Sequence, residues 1–194
     1  MAIELGRRLV HASGAIIPAA YLFDTHVLEA GVVTWSVVQL LAVVGFVATV
    51  LLETARLYGG FDHAIYDRLT REYEQDSVAG YALYVLGGTI TVFVFEPAVA
   101  VPALFMLTLA DPVSGMLSTG GLRLIARPRV LVGMFAVCFL LALPFVPPIA
   151  AVAGALGGTI ADGVKPKIGD FVVDDNLTIP IFASFAMWAA LTVV

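Results

Sequence analysis

Apolar runs follow one another along almost the whole chain, and nothing else in the sequence constrains the fold as strongly. A helix on the surface of a soluble domain turns a polar face to water every turn or so. The stretches Trp35 to Leu52 and Ala150 to Ala161 contain no charged residue at all. Hydrophobic residues make up 60% of the 194-residue chain and charged residues 13%, where ordinary soluble domains carry about a quarter charged. The solvent implied is lipid. A hydrocarbon core about 30 Å thick asks for roughly 17 to 25 residues per helix. On that basis the runs divide at about residues 9 to 24, 31 to 52, 77 to 95, 97 to 110, 130 to 146, 147 to 163 and 177 to 194. The fold class expected is an all-α integral membrane protein of about seven transmembrane helices, one domain filling residues 1 to 194.

The basic residues orient these segments. Short cytoplasmic loops retain Lys and Arg. With the N-terminus cytoplasmic, Arg7 and Arg8, then Arg56, Arg68 and Arg71, then Arg123, Arg127 and Arg129, then Lys165 and Lys167 all fall on one side, which accounts for all 10 cations. The opposite loops carry Asp24, His26, Glu29 and Glu96 and no Lys or Arg. A multi-pass cell-membrane protein with a cytoplasmic active face is expected. Residues 1 to 10 resemble a signal peptide, but no small-residue cleavage site followed by a soluble domain is present, so the segment is expected to stay as helix one.

Several features read as architecture. Pro144, Pro147 and Pro148 predict a tight hairpin between the fifth and sixth segments. Leu-Gly-Gly-Thr-Ile occurs at 86 to 90 and again at 156 to 160, and the bland explanation is close helix packing, as Gly154 and Gly158 also suggest. The stretch from Glu53 to Asp76 reads as a solvated loop with a surface helix from Ala64 onward. Cys138, alone in an apolar run, reads as a small hydrophobe.

The formal net charge of −5 argues against nucleic acid, which calls for a basic face. Phosphate-binding loops of soluble nucleotide enzymes are absent, and His11, His26, His63 and Cys138 give no zinc spacing. What remains is a set of carboxylates beside cations at the inner boundary. They are Glu53 with Arg56, Asp111 in Ala-Asp-Pro-Val-Ser-Gly, Asp162 with Lys165 and Lys167, and Asp174, Asp175 and Asn176 at the start of the last segment. An ionisable group at the centre of a membrane helix costs about 2.5 to 3.5 kcal/mol or more, so it tends to face a partner or a polar cavity. Pro112 disfavours a helical Asp111 and is expected to end the fourth segment there. An Asp or Asn at 174 to 176 would cap the last helix, but capping needs one residue, and three such oxygens also suit magnesium carrying substrate phosphates. Arg8 and His11 fall on one helical face.

Taken in order, Arg7 to His11 (Arg-Arg-Leu-Val-His), Glu53 to Arg56 (Glu-Thr-Ala-Arg), Ala110 to Gly115 and Asp175 to Pro180 (Asp-Asn-Leu-Thr-Ile-Pro) resemble the polyprenol kinase family. That family includes dolichol and phytol kinases and is related to phosphatidate cytidylyltransferases. The resemblance implies a membrane enzyme that uses CTP to phosphorylate the terminal hydroxyl of an isoprenoid alcohol. The family's Lys-Ser-x-Glu-Gly-Ser element is replaced here by Arg127 to Gly133, without its Glu and both Ser.

On this reading Asp174 and Asp175, with Asn176, hold Mg2+ on the nucleotide. Arg56, Arg127, Arg129, Lys165 and Lys167 attract phosphate, and Asp111 or Asp162 accepts the alcohol proton. Arg8, His11, Glu53 and Ser114 are further candidates. Partners are a nucleoside triphosphate, a prenol and membrane lipids. Two alternatives stay open: cytidylyl transfer from CTP to a lipid phosphate, and small-solute transport.

Overall fold

The computed structural model describes residues 2–59, 70, 74–75, 77–118, 125–164, 167–168 and 171–193, and at residues 2–5, 7, 167–168 and 171–172 it describes the backbone alone. Among these residues the regular structure is helical apart from a two-residue antiparallel pair, Lys167–Ile168 with Phe171–Val172, and an isolated antiparallel bridge between Ile125 and Val164. Each of the seven apolar segments contains helix. Segment one is broken in two, α1 (Ala2–Ser13) and α2 (Ile16–Phe23). Pro18 explains the break, because it has no N–H for the carbonyl of Gly14 and its ring crowds that carbonyl. A π turn, Asp24–Leu28, closes the segment, and the buried Asp24 carboxylate accepts a 3.0 Å bond from the backbone N–H of Val33.

Helix α3 (Trp35–Tyr58) begins at Thr34, whose hydroxyl accepts from the N–H of Val37. Helix α4 (Gly80–Val94) and helix α5 (Pro97–Leu117) follow. Then come α6 (Pro128–Ala142), α7 (Pro148–Gly163) and α8 (Asp175–Val193). The expected proline hairpin joins α6 to α7. The surface helix expected from Ala64 lies outside the described residues.

Two expectations are corrected. Asp111 does not end its segment: its φ of −60° and ψ of −49° are helical, and α5 runs on to Leu117. A π turn at Met106–Ala110 makes this tolerable. The N–H of Asp111 bonds the carbonyl of Met106, five residues back, and the widened turn relieves the crowding that Pro112 would otherwise impose. The second correction concerns length. Among the described residues three helices, Trp35–Tyr58, Pro97–Leu117 and Asp175–Val193, are long and apolar enough to cross a membrane. The 15- and 16-residue helices α4, α6 and α7 rise about 24 Å at most at 1.5 Å per residue, short of a core about 30 Å thick.

The core lies between α5, α6, α7 and α8, around Met106, Met134, Cys138, Ile179 and Met187, each fully enclosed. Glycines allow that closeness. A Cβ at Gly157 on α7 would stand 2.6 Å from the carbonyl oxygen of Phe182 on α8, and one at Gly87 on α4 would stand 2.8 Å from that of Asn176. The first glycine of each Leu-Gly-Gly-Thr-Ile string therefore rests against the backbone of α8. Outside the core, Leu40, Val44, Val47 and Leu51 of α3 project outward as an apolar face, as a helix bordering lipid would.

Candidate functional site

The π turn in α5 sets one wall of the site. Because the N–H of Asp111 is drawn to Met106 and Pro112 has none, the carbonyl of Leu107 receives neither an i+4 nor an i+5 backbone donor. His11 on α1 meets it instead, with Nε2 2.8 Å from that oxygen and 3.3 Å from Oδ2 of Asp111. One turn earlier on the same face, Arg8 donates to the carbonyl of Gly115 at 3.0 Å. The spacing of Arg8 and His11 thus clamps α1 along the second half of α5. Tyr84 on α4 donates to the carbonyl of His11 at 3.2 Å and packs edge-on against its ring.

Asp162 lies at the last turn of α7 and is buried, its Oδ2 accepting a 2.6 Å bond from the hydroxyl of Ser114. Asp175 is the first residue of α8, also buried. Carboxylate oxygens of Asp111, Asp162 and Asp175 all lie within 4.8 Å of one another. These three acids come from three helices and are separated by about fifty residues and then by a dozen, so no local spacing announces the group.

The adjacent Asp174 does a different job. Its Oδ1 accepts from the N–H of Asn176 at 2.9 Å, and its carbonyl accepts from Leu177 and Thr178. It is the N-cap of α8, which satisfies donors the helix cannot. The cap and the clustered acid, expected to coexist in Asp174 to Asn176, are divided between neighbours. Asn176 is buried, and its side-chain oxygen has no hydrogen-bond partner among the described residues.

A second polar cluster stands beside the first. Arg56 donates through Nε and one terminal nitrogen to both carboxylate oxygens of Glu53, at 2.9 and 2.8 Å. Its other N–H groups go to the carbonyls of Glu74 at 3.2 Å, Gln75 at 2.9 Å and Ser77 at 2.6 Å. All five donors of the guanidinium are thereby used. Glu53 also accepts from the N–H of Ala79 at 3.1 Å and from the hydroxyl of Tyr81 in a short bond. Arg56, expected at phosphate, is occupied here in holding the chain that leads into α4. The next residue, Gly80, forms a floor between the clusters. A Cβ there would lie 3.1 Å from Nδ2 of Asn176, 3.3 Å from Oε1 of Glu74 and 3.5 Å from Oδ2 of Asp174.

The remaining cations divide by location. Arg127 caps α6 and is half-buried, and the N–H of Ala126 beside it donates to the carbonyl of Gly163 at 2.9 Å, which sets it next to the end of α7 that carries Asp162. Arg129 is exposed. Lys165 lies outside the described residues, as does the side chain of Lys167. Gly80, Tyr81 and Tyr84 had no signal in the sequence beyond an apolar helix. Glu74 stood out only as one charge among many in a polar stretch.

Chemically, three carboxylates in one small space repel in a low-dielectric setting, and a bound cation relieves the repulsion. Oxygen donors are what magnesium takes, at about 2.0–2.1 Å, so opposite ligands stand about 4.2 Å apart. Oxygens within 4.8 Å of one another are close enough to share one ion after a side-chain adjustment. Comparison with known protein families, with curated proteins and with solved structures finds no match to this chain.

Proposed function

We propose that this protein is a membrane phosphotransferase that uses CTP to phosphorylate the terminal hydroxyl of an isoprenoid alcohol. The observation that carries the reading is the meeting of Asp111, Asp162 and Asp175 from three helices, with His11 against Asp111. The side-chain oxygen of Asn176 beside Asp175, buried and without a hydrogen-bond partner among the described residues, supports it as an atom that a ligand or water would satisfy. The motif resemblance supplies the substrate class.

Phosphoryl transfer asks for positioning and charge neutralisation more than covalent chemistry. Magnesium usually takes one or two carboxylates plus the substrate's phosphates. Asp162, fixed by Ser114, and Asp175, fixed by the helix it begins, would hold it, and when bound the ion neutralises charge on the nucleotide phosphates. Asp111 is left as the proton acceptor, oriented by His11. The alcohol oxygen bonds the γ-phosphorus, the bond from that phosphorus to the β–γ bridging oxygen breaks, CDP departs, and the hydroxyl proton passes to Asp111. Arg127 is placed to attract the nucleotide's phosphates. The N-terminus and the acids face the cytoplasm, the source of nucleotide.

Purified protein given Mg2+, CTP or ATP labelled at the γ- or the α-phosphate, and either prenols of several lengths or phosphatidate tests this. The γ-label moving to lipid with release of CDP is expected. The α-label moving to lipid with pyrophosphate release replaces the kinase with a cytidylyltransferase. No transfer from either nucleotide defeats both and leaves transport.

A further inference from the structure

Between α2, α3, α4 and α5 lies a half-open apolar groove of about 150 Å³, lined among others by Pro18, Leu41, Val85, Leu104 and Leu107. Its walls are apolar by arrangement as well as by composition. The hydroxyl of Thr89 shares its hydrogen between the carbonyls of Val85 at 2.7 Å and Ala42 at 3.3 Å, and that of Thr108 donates to Leu104 at 2.8 Å, so neither has a hydrogen left to donate into the groove. Gly45 on α3, Gly88 on α4 and Gly14 in the turn between α1 and α2 open the space. One end is shared with the acid site. Tyr84 and Leu107 both line the groove, and both bond His11, which touches Asp111.

We propose that this groove seats the first isoprene unit of the alcohol, with the hydroxyl end directed past His11 toward Asp111. The proposal rests on the phosphotransferase reading for its substrate. An enclosed apolar cavity of about this volume takes a molecule of about six carbons, so the groove has room for one isoprene unit of one chain. The continuity of the apolar wall with a polar end at Tyr84 and His11 fits a single-chain lipid carrying one small polar terminus. The outer positions Ile17 and Leu41, each more than two-fifths exposed, mark where the rest of the chain passes into the bilayer.

A farnesol analogue carrying a diazirine on its first isoprene unit tests the assignment in protein reconstituted into phosphatidylcholine nanodiscs. Photolabel on Leu41, Val85 or Leu107, suppressed by unlabelled farnesol, is the expected result. Label at those residues that farnesol does not suppress assigns the groove to a bilayer acyl chain and overturns the proposal. Label elsewhere, with γ-phosphate transfer to farnesol intact, overturns the groove and spares the kinase. Farnesol-sensitive label in the groove without transfer from any nucleotide upholds the groove and removes the kinase. Groove-filling variants give a second readout. Gly45→Leu and Gly88→Leu enter from opposite walls, where a Cβ meets only ordinary contacts at 3.7 Å from Val85 and 3.6 Å from Leu104. Each is expected to raise KM for farnesol about tenfold and leave KM for CTP within about twofold. An unchanged farnesol KM in both overturns the proposal.

Discussion

Two polar clusters meet at the first turn of α8 and use similar residues to opposite ends. In the brace of Glu53 and Arg56, a carboxylate and a guanidinium face each other bidentately, and the remaining donors and acceptors are taken up by the backbone from Glu74 to Ala79 and by Tyr81. In the triad of Asp111, Asp162 and Asp175, like charges are brought together by three separate helices. The first arrangement is complete within the protein and fixes the approach to α4. The second gathers negative charge where a divalent ion and a phosphate would sit. Ionisable residues beside apolar helices therefore do not all suggest chemistry: the brace pairs opposite charges, and the triad gathers like ones.

The comparison breaks most sharply if the two clusters respond alike to mutation. Asp162→Asn keeps the shape and the bond from Ser114 but removes the charge. It is expected to lower phosphoryl transfer about 10²–10³-fold with little change in thermal stability, the size typical of losing one electrostatic group at a reacting centre. Arg56→Met should do the reverse. Removing one partner of a buried pair costs about 3–5 kcal/mol, so its melting temperature in detergent should fall by several degrees or more while turnover per folded molecule stays near wild type. A catalytic loss in Arg56→Met without loss of stability would place the brace in the site.

Smaller effects sharpen the distinction. Ser114→Ala removes the bond that orients Asp162, and loss of such an outer partner typically costs about 10–100-fold in metal affinity. Activity should recover at high Mg2+, and an unchanged Mg2+ requirement would count against the oriented Asp162. Tyr81→Phe removes one donor from Glu53 and should cost about 1 kcal/mol of stability, with no change in the Mg2+ requirement.

How much of this was legible in the sequence differs between the parts. Apolar runs located the helices because periodic burial in lipid needs no long-range information. Their lengths were less legible: the helical Asp111 depends on a π turn that Pro112 seemed to forbid, and Pro18 divides a run that looked continuous. All three triad acids were readable as boundary carboxylates. Their grouping was not, because it depends on how α5, α7 and α8 pack. Asp174 and Asp175 looked equivalent as neighbours, and only the helix start distinguishes the cap from the clustered acid. Arg56 looked like a phosphate ligand because its backbone acceptors at Glu74, Gln75 and Ser77 carry no side-chain signature. Gly80, set among Asn176, Glu74 and Asp174, was invisible for the same reason.

The central claim is that the triad takes a divalent ion with the nucleotide and the brace does not. Electron paramagnetic resonance of Mn2+, titrated into the purified protein with CTP, measures this directly. The account expects bound Mn2+ in the wild type, its loss in Asp175→Asn and its retention in Arg56→Met. Equal binding in wild type and Asp175→Asn, or binding lost in Arg56→Met alone, would contradict it.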